Sequence, residues 1–351
     1  KTAVTAGASD IHICVNKPPM MRRNGEVVPV APTMAALTAE ETKALIYSAL
    51  YDEQRAKFEA NWELDCSFAI TGISRFRLNV LVARNGVEAV LRVIPSIIPT
   101  PEQLNLSPAI VNLSTLHKGL VLVTGPTGSG KSTTLAAILD LINQNKRGHM
   151  LTIEDPIEFT YEAKNCIIRQ REIGQHTKSF GNALRAALRE DPNIILVGEM
   201  RDLETIQLTI TAAETGHLSF ATLHTQDAPS TVDRIIDVFP PHQQTQVRVQ
   251  LASSLQAVVS QILLPRKDGK GRVAAREVMI MTPAISNLIR EGKTHMIYSA
   301  IETGSKAGMI SMDKALYGLV QQNLVSFEVA QSKAHDREAF KALCGRAGTA
   351  A

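Results

Sequence analysis

At 351 residues the chain is long enough for two domains with substantial cores. Its 44% hydrophobic and 20% charged residues are ordinary for a globular protein, while a net charge of +3 and 4% aromatic residues argue against a nucleic-acid surface. No apolar run approaches the roughly 18–20 residues of a membrane span, and no charged-then-apolar leader opens the sequence.

The opening KTAVTAGASD reads as the tail of a helix, with a short further piece expected ahead of it. Asp10–Val15 alternates as a short strand. Met20–Val30 carries Asn24-Gly25 between two extended runs, a hairpin signal. Thr38 and Glu41 form a capping box that opens an amphipathic helix running to about Leu50. Strand-like runs follow at Glu63–Thr71, Arg75–Ala83 and Val87–Ile94, with Arg84-Asn85-Gly86 as a turn. These elements predict a small α+β module. The stretch Pro95–Pro108 has four prolines and no periodicity, and reads as an interdomain linker.

From Gly119 the pattern changes. Leu120–Thr124, Met150–Ile153, Ile194–Val197 and Leu218–Thr222 are short apolar runs, several of them separated by helical segments, which predicts a doubly wound parallel sheet. Beyond about Pro240 the sequence reads as helical, with Gln243–Leu263 and Pro283–Arg290 as helices around a Lys-, Gly- and Arg-rich loop at Arg266–Arg272. The four cysteines, Cys14, Cys66, Cys166 and Cys344, lie far apart and form no zinc-finger spacing. They read as structural thiols of a reducing cytosol.

Gly125-Pro126-Thr127-Gly128-Ser129-Gly130-Lys131-Ser132, followed by Thr133, matches the phosphate-loop pattern in full between a strand and a helix. Glycines let backbone N–H groups curl around a β-phosphate, and the helix N-terminus adds positive potential. Lys131 neutralises β/γ oxygens, and the Ser132 hydroxyl is placed to ligate Mg²⁺. ATP and Mg²⁺ are therefore the expected cofactors.

Other polar groups gather at predicted strand ends, where open α/β sheets keep their ligands. Glu154, Asp155 and Glu158 follow one strand and can orient water; a solvated acidic loop is the alternative. Another strand ends Val197-Gly198-Glu199, with Gly where a P-loop ATPase usually keeps its magnesium-holding Asp. Glu199 can hold the Mg²⁺ shell through water or polarise the nucleophile, or it can serve only as a partner of Arg201. His224 closes the next strand and can touch or sense the γ-phosphate. His217 opens that strand about 23 Å away along an extended chain, which argues against a shared metal pair. Arg75, Arg77 and Arg92 form a candidate phosphate-contacting patch on two paired strands, with a solvated strand face as the other reading.

Together these motifs resemble the secretion ATPase superfamily that powers type II secretion, type IV pili and conjugation, and within it the pilus retraction ATPases. The resemblance runs along essentially the whole chain. Gly7–Ile13 resembles the start of that family's N-terminal domain, Ile153–Phe159 its acidic box, Ile194–Asp202 its atypical Walker B and Thr215–His224 its histidine box. Ala284–Glu291 (AISNLIRE) resembles the AIRNLIRE motif of retraction ATPases, with Ser286 where Arg is usual. The implied fold class is α/β. It comprises a PAS-like α+β domain over residues 1–95, a linker at 96–108, and a RecA-like P-loop ATPase domain over 109–351 that is helical from about residue 240.

The resemblance also implies a homohexameric ring with ATP at the junction of the two domains. Glu199 and Glu158 would be the main catalytic and metal-organising acids, beside Glu154 and Asp155 of the acidic box, with His217 and His224 assisting. Apart from the resemblance, the reading of Arg75, Arg77 and Arg92 as a phosphate-contacting patch has them serve a nucleotide held by an adjacent subunit. Expected partners are an inner-membrane pilus platform protein and the assembly ATPase, at the cytoplasmic face of the membrane. Nucleic acid is not expected. Assembly and type II secretion ATPases of the same superfamily are the alternative, but they carry a four-cysteine zinc segment that these cysteines cannot form.

Overall fold

The computed structural model describes residues 1–23, 25–94 and 97–347. Asn24 of the expected hairpin turn, and Pro95 and Ser96 of the expected linker, lie outside the described residues. The chain divides into two compact units, residues 1–97 and 98–351.

The first unit contains α1 (Thr2–Thr5), β1 (Asp10–Ile13), β2 (Met20–Arg23), β3 (Glu26–Pro29), α2 (Ala39–Ser48), α3 (Asp52–Asn61), β4 (Glu63–Ile70), β5 (Ser74–Ala83) and β6 (Gly86–Ile94). Its strands form an antiparallel sheet in the order β3-β2-β1-β6-β5-β4. The capping box forms as the sequence dictates. Glu41 N donates to Thr38 Oγ1 at 3.2 Å, and Thr38 N donates to the Glu41 carboxylate at 2.8 Å. Helix α3, which has no clear apolar period, was not anticipated. It buries Phe58 beside Ile46, Leu50, Leu78 and Val80 on one sheet face. Alternation along β5 turns Arg75, Arg77 and Asn79 to the opposite, polar face.

The second unit begins with α4 (Pro108–Asn112), β7 (Gly119–Thr124), α5 (Lys131–Asn145), β8 (His149–Glu154), β9 (Ile167–Glu172), α6 (Phe180–Ala187), β10 (Ile194–Val197), α7 (Leu203–Glu214) and β11 (Leu218–Leu223). It continues with α8 (Ala228–Asp237), α9 (Pro241–Ser254), β12 (Leu255–Pro265), β13 (Arg272–Ile280), α10 (Pro283–Arg290), α11 (Ile297–Thr303), α12 (Met312–Gln321), α13 (Phe327–Gln331) and α14 (Arg337–Ala347). The sheet order is β13-β12-β7-β11-β10-β8-β9, parallel except where β13 pairs antiparallel with β12. Both faces are covered. Val121, Val123, Leu196, Phe220 and Val259 pack with α4 and α5, whereas Leu120, Leu122, Ile195, Val197 and Val258 pack with α6 to α11. Near-continuous apolar runs in the central strands follow from that double burial.

The helix expected over Gln243–Leu263 is corrected. Helix α9 stops at Ser254, and Leu255–Pro265 is a strand inserted between β7 and β13. Its run LQAVVSQILL is apolar on both faces and rich in β-branched residues, which suits a doubly covered strand better than a one-faced helix. The Arg266–Arg272 loop is accordingly a hairpin turn, with Gly269 and Gly271 at φ 71° and 88°. Helix α10 carries the AISNLIRE stretch. It buries Ile285 and Ile289, while Ser286 Oγ donates to the Ala252 carbonyl of α9 at 3.0 Å.

Candidate nucleotide-binding and hydrolysis site

The carboxyl ends of four adjacent parallel strands bring the predicted motifs to one edge. In register, Thr124 of β7 lies beside Leu223 of β11, Ala221 beside Val197 of β10, and Val197 beside Ile153 of β8. The phosphate loop, His224, Glu199 and the Glu154–Glu158 segment therefore leave the sheet side by side. That placement follows from strand order, which local sequence does not encode.

The loop from Gly125 to Gly130 needs its glycines. Gly125 and Gly130 have φ of 134° and 88°, and a Cβ on Gly125 would stand 2.1 Å from the Gln261 carbonyl oxygen. Gly128, at φ 77°, has open space where a Cβ would be, on the exposed crest of the loop. Helix α5 starts directly at Lys131, so Ser132 and Thr133 occupy its first turn. Lys131 is buried, and its Nζ donates to the carbonyls of Gly125 at 2.7 Å and Pro126 at 3.2 Å. Burial pulls its pKa down, and the negative charges of Glu199 and Glu158 work against that pull. Those two carboxylates thus share the electrostatic environment of Lys131.

Glu199 sits in a small charged network. Arg201 contacts its carboxylate at 2.8 Å, and His224 Nε2 approaches Oε1 at 3.2 Å. Partial burial alone would raise its pKa, but Arg201 and His224 outweigh it and hold the carboxyl below the usual range. Gly198 has a structural reason. A Cβ there would meet Glu154 Cα and the Ile153 carbonyl oxygen at 3.2 Å each. Gly198 N also donates to Ile153 O at 2.8 Å, and Thr222 Oγ1 donates to Gly198 O. Glycine lets β10 run close against β8 and deliver Glu199 one residue later.

The acidic box divides by burial. Glu154 is only 7% exposed and accepts from Thr152 Oγ1 at 2.6 Å and Gln170 Nε2 at 3.3 Å. Burial pushes its pKa up to about 7 despite those bonds. Its oxygens are turned to its own loop. Asp155 is exposed and adds to the field at Arg201, and Glu158 is exposed on the side of Lys131.

One expected residue, His217, is not brought to this edge. His217 precedes β11 at its amino end and bonds through Nδ1 to Ala212 O at 2.9 Å, closing helix α7. It is therefore separated from His224 by the whole strand. Arg75, Arg77 and Arg92 belong to the first unit, where Arg77 lies directly across from Arg92. Arg77 Nε donates to both Asp65 oxygens at 3.1 Å, Arg92 Nε to Asp10 at 3.1 Å, and Arg75 Nη2 to Ser67 Oγ at 2.6 Å.

Sequence reasoning missed the support behind the phosphate loop. Gln261 of β12 donates to Ser129 O, and it accepts from Thr134 Oγ1 and Arg276 Nε, the latter two at 2.7 Å. A cavity of about 460 Å³ adjoins the loop, lined by Pro126–Ser129, Gln226, Leu263, Arg272, Met312 and Lys333 among others. Glu277, fully buried, accepts from Ala228 N and Met312 N, and so ties two helix starts beside that cavity. A lone Gln in the apolar run VVSQILL was the available signal, but the helical reading of that run obscured it.

The pattern of the type II/IV secretion system protein family matches residues 1–331. The type IV pilus retraction ATPase PilT of Pseudomonas aeruginosa is 53% identical, covering 95% of this chain and 96% of its own. A twitching motility protein of Neisseria gonorrhoeae is 48% identical over 96% of this chain and 88% of its own. A crystal structure of the pilus retraction motor PilT with bound ADP aligns with a TM-score of 0.90 and 47% identity, covering 96% of each chain.

Proposed function

The chain belongs to the type II/IV secretion system protein family, and we propose that it is the ATP-hydrolysing motor that retracts type IV pili. Likeness to retraction ATPases along nearly the full length of both chains carries this reading. The chemistry at the sheet edge supports it.

In this mechanism the phosphate loop and Lys131 receive the β- and γ-phosphates, with Lys131 moving its ammonium from loop carbonyls to phosphate oxygens. Glu199, ionised at neutral pH, accepts a hydrogen bond from the attacking water and aims it at the γ-phosphorus. His224 and Arg201 hold that carboxylate in place, and His224 is poised to respond when the γ-phosphate leaves. Glu158 shapes the field around Lys131. Glu154 acts by keeping its loop folded, and Asp155 by adding to the field at Arg201.

The donor set fits Mg²⁺. Among the described residues no three His, Cys, Asp or Glu groups converge as a protein cage. One hydroxyl, Ser132, and one carboxylate, Glu199 acting through water, suit a cation that keeps several waters and takes phosphate oxygens. When bound, Mg²⁺ supplies neutralisation of phosphate charge.

The working assembly is a homohexamer. The first unit is its PAS-like domain, and Arg75, Arg77 and Arg92 reach a nucleotide on an adjacent copy. His217 acts there only indirectly, as the cap of α7. The second unit is RecA-like. Among the described residues no helix is long and apolar enough to cross a membrane. The motor works from the cytoplasmic face on an inner-membrane platform protein, alongside the assembly ATPase. Deleting the chain tests this: cells with surplus pili and no twitching support retraction, whereas bald cells reassign it to assembly.

A further inference from the structure

We propose that Gln261 and Arg276 are positioning residues forming a hydrogen-bonded relay that couples the phosphate loop to residues 98–106. The inference rests on the nucleotide-binding reading of the loop and adds a route out of it.

The relay begins at the peptide between Ser129 and Gly130. Gln261, 2% exposed, donates from Nε2 to the Ser129 carbonyl. A trans peptide is planar, so holding that carbonyl inward aims the Gly130 N–H outward, toward the crest where phosphate binds. The same carboxamide accepts through Oε1 from Thr134 Oγ1 on α5 and from Arg276 Nε on β13, both at 2.7 Å. A carboxamide suits this place because it donates on one side and accepts twice on the other without carrying charge into the interior.

Arg276 passes the contact on. Its Nη1 donates to the Leu104 carbonyl at 3.1 Å. The bonds named here run to neutral oxygens, and burial pulls the guanidinium pKa down to about 10. Leu104 lies in a tight turn, with Leu104 N bonded to Thr100 O at 3.1 Å and Leu106 N to Pro101 O at 2.9 Å. That turn follows the boundary at residue 97 between the two units. A shift of the Ser129 peptide on nucleotide binding is therefore felt at the turn through two side chains. By linkage, a force on the turn alters nucleotide affinity equally. The planar fork of Arg276 makes this possible, because its nitrogens face two acceptors in fixed geometry.

Hydrogen–deuterium exchange of the full chain with and without ADP tests the relay. In the wild type ADP is expected to slow exchange about fivefold or more in residues 125–133 and also in 98–106. In Arg276→Met the first effect persists and the second is lost. Arg276→Lys keeps the charge, but one ammonium does not span both oxygens, so it gives the same outcome if the Met variant does not fold. The relay is overturned if ADP slows 125–133 but not 98–106 in the wild type, or slows 98–106 equally in a folded variant. No slowing at 125–133 in the wild type overturns instead the nucleotide reading on which the relay rests.

Discussion

The two sheets of this protein treat charge in opposite ways. On the polar face of the first unit, Arg77 faces Asp65 and Arg92 faces Asp10, each pair bridging neighbouring or nearby strands in partial contact with solvent. At the carboxyl edge of the second unit, Lys131 is buried against carbonyls and Glu154 is buried against a hydroxyl and an amide. Charges paired in water are nearly neutral in energy and can exchange partners cheaply. Charges removed from water without a counter-ion in contact are held at a cost that a ligand of opposite charge relieves. The first arrangement suits a surface that swaps partners; in the second, the Lys131 ammonium suits a phosphate, whereas the Glu154 carboxyl avoids the cost by keeping its proton up to about pH 7.

Removing Lys131 should break the second arrangement most severely. Lys131→Ala is expected to weaken ADP and ATP binding by about 3 kcal/mol, over a hundredfold, in a calorimetric titration. Affinity near that of the wild type would detach Lys131 from the nucleotide. Glu199→Gln comes next: nucleotide affinity within a few-fold, and a kcat lower by about a hundredfold. Steady-state ATP hydrolysis at the wild-type rate would remove Glu199 from the mechanism.

Glu154 sharpens the comparison through pH. Its folded pKa of about 7 lies above the 4.5 of an unhindered glutamate, so folding takes up a proton in that interval. The stability it contributes is complete below pH 4.5 and lost as pH rises through 7. Denaturation at pH 4.5 and 7.5 should show the wild type losing up to about 3 kcal/mol relative to Glu154→Gln. Parallel pH profiles for the two chains would refute the buried, protonated state. The smallest effect belongs to the first unit. Arg77→Ala and Asp65→Ala are each expected to change stability by less than about 1 kcal/mol, with a small coupling in the double mutant. A coupling well above that would place the pair with the buried groups.

Much of the site was legible because its motifs are local. The glycines of Gly125–Ser132, the capping box at Thr38 and Glu41, and the apolar strands before Lys131 and Glu199 depend on spacings of a few residues. The missing Asp at Gly198 was legible only as a departure, and its reason lies in the passage of β10 against Glu154 and Ile153. Gln261 was illegible because Gln243–Leu263 satisfies a helical pattern loosely, and only pairing with β7 and β13 makes its second half a strand. The arginines of β5 and β6 were read correctly as sharing a face, but Asp65 and Asp10, far away in sequence, determine what they bond.

By itself the sequence determined that a phosphate loop follows a buried strand, that acids and a histidine close other strands, and that an α+β module precedes them. Those features rest on backbone conformation and on periods of two or a few residues, which neighbouring side chains dictate. Tertiary structure alone decided that β11 lies between β7 and β10, that Glu154 is buried while Glu158 is exposed, and that Gln261 sits behind Ser129. Strand order and burial arise from contacts between residues far apart in sequence, 132 positions for Ser129 and Gln261 and 172 for Leu104 and Arg276, and no local pattern encodes such a distance.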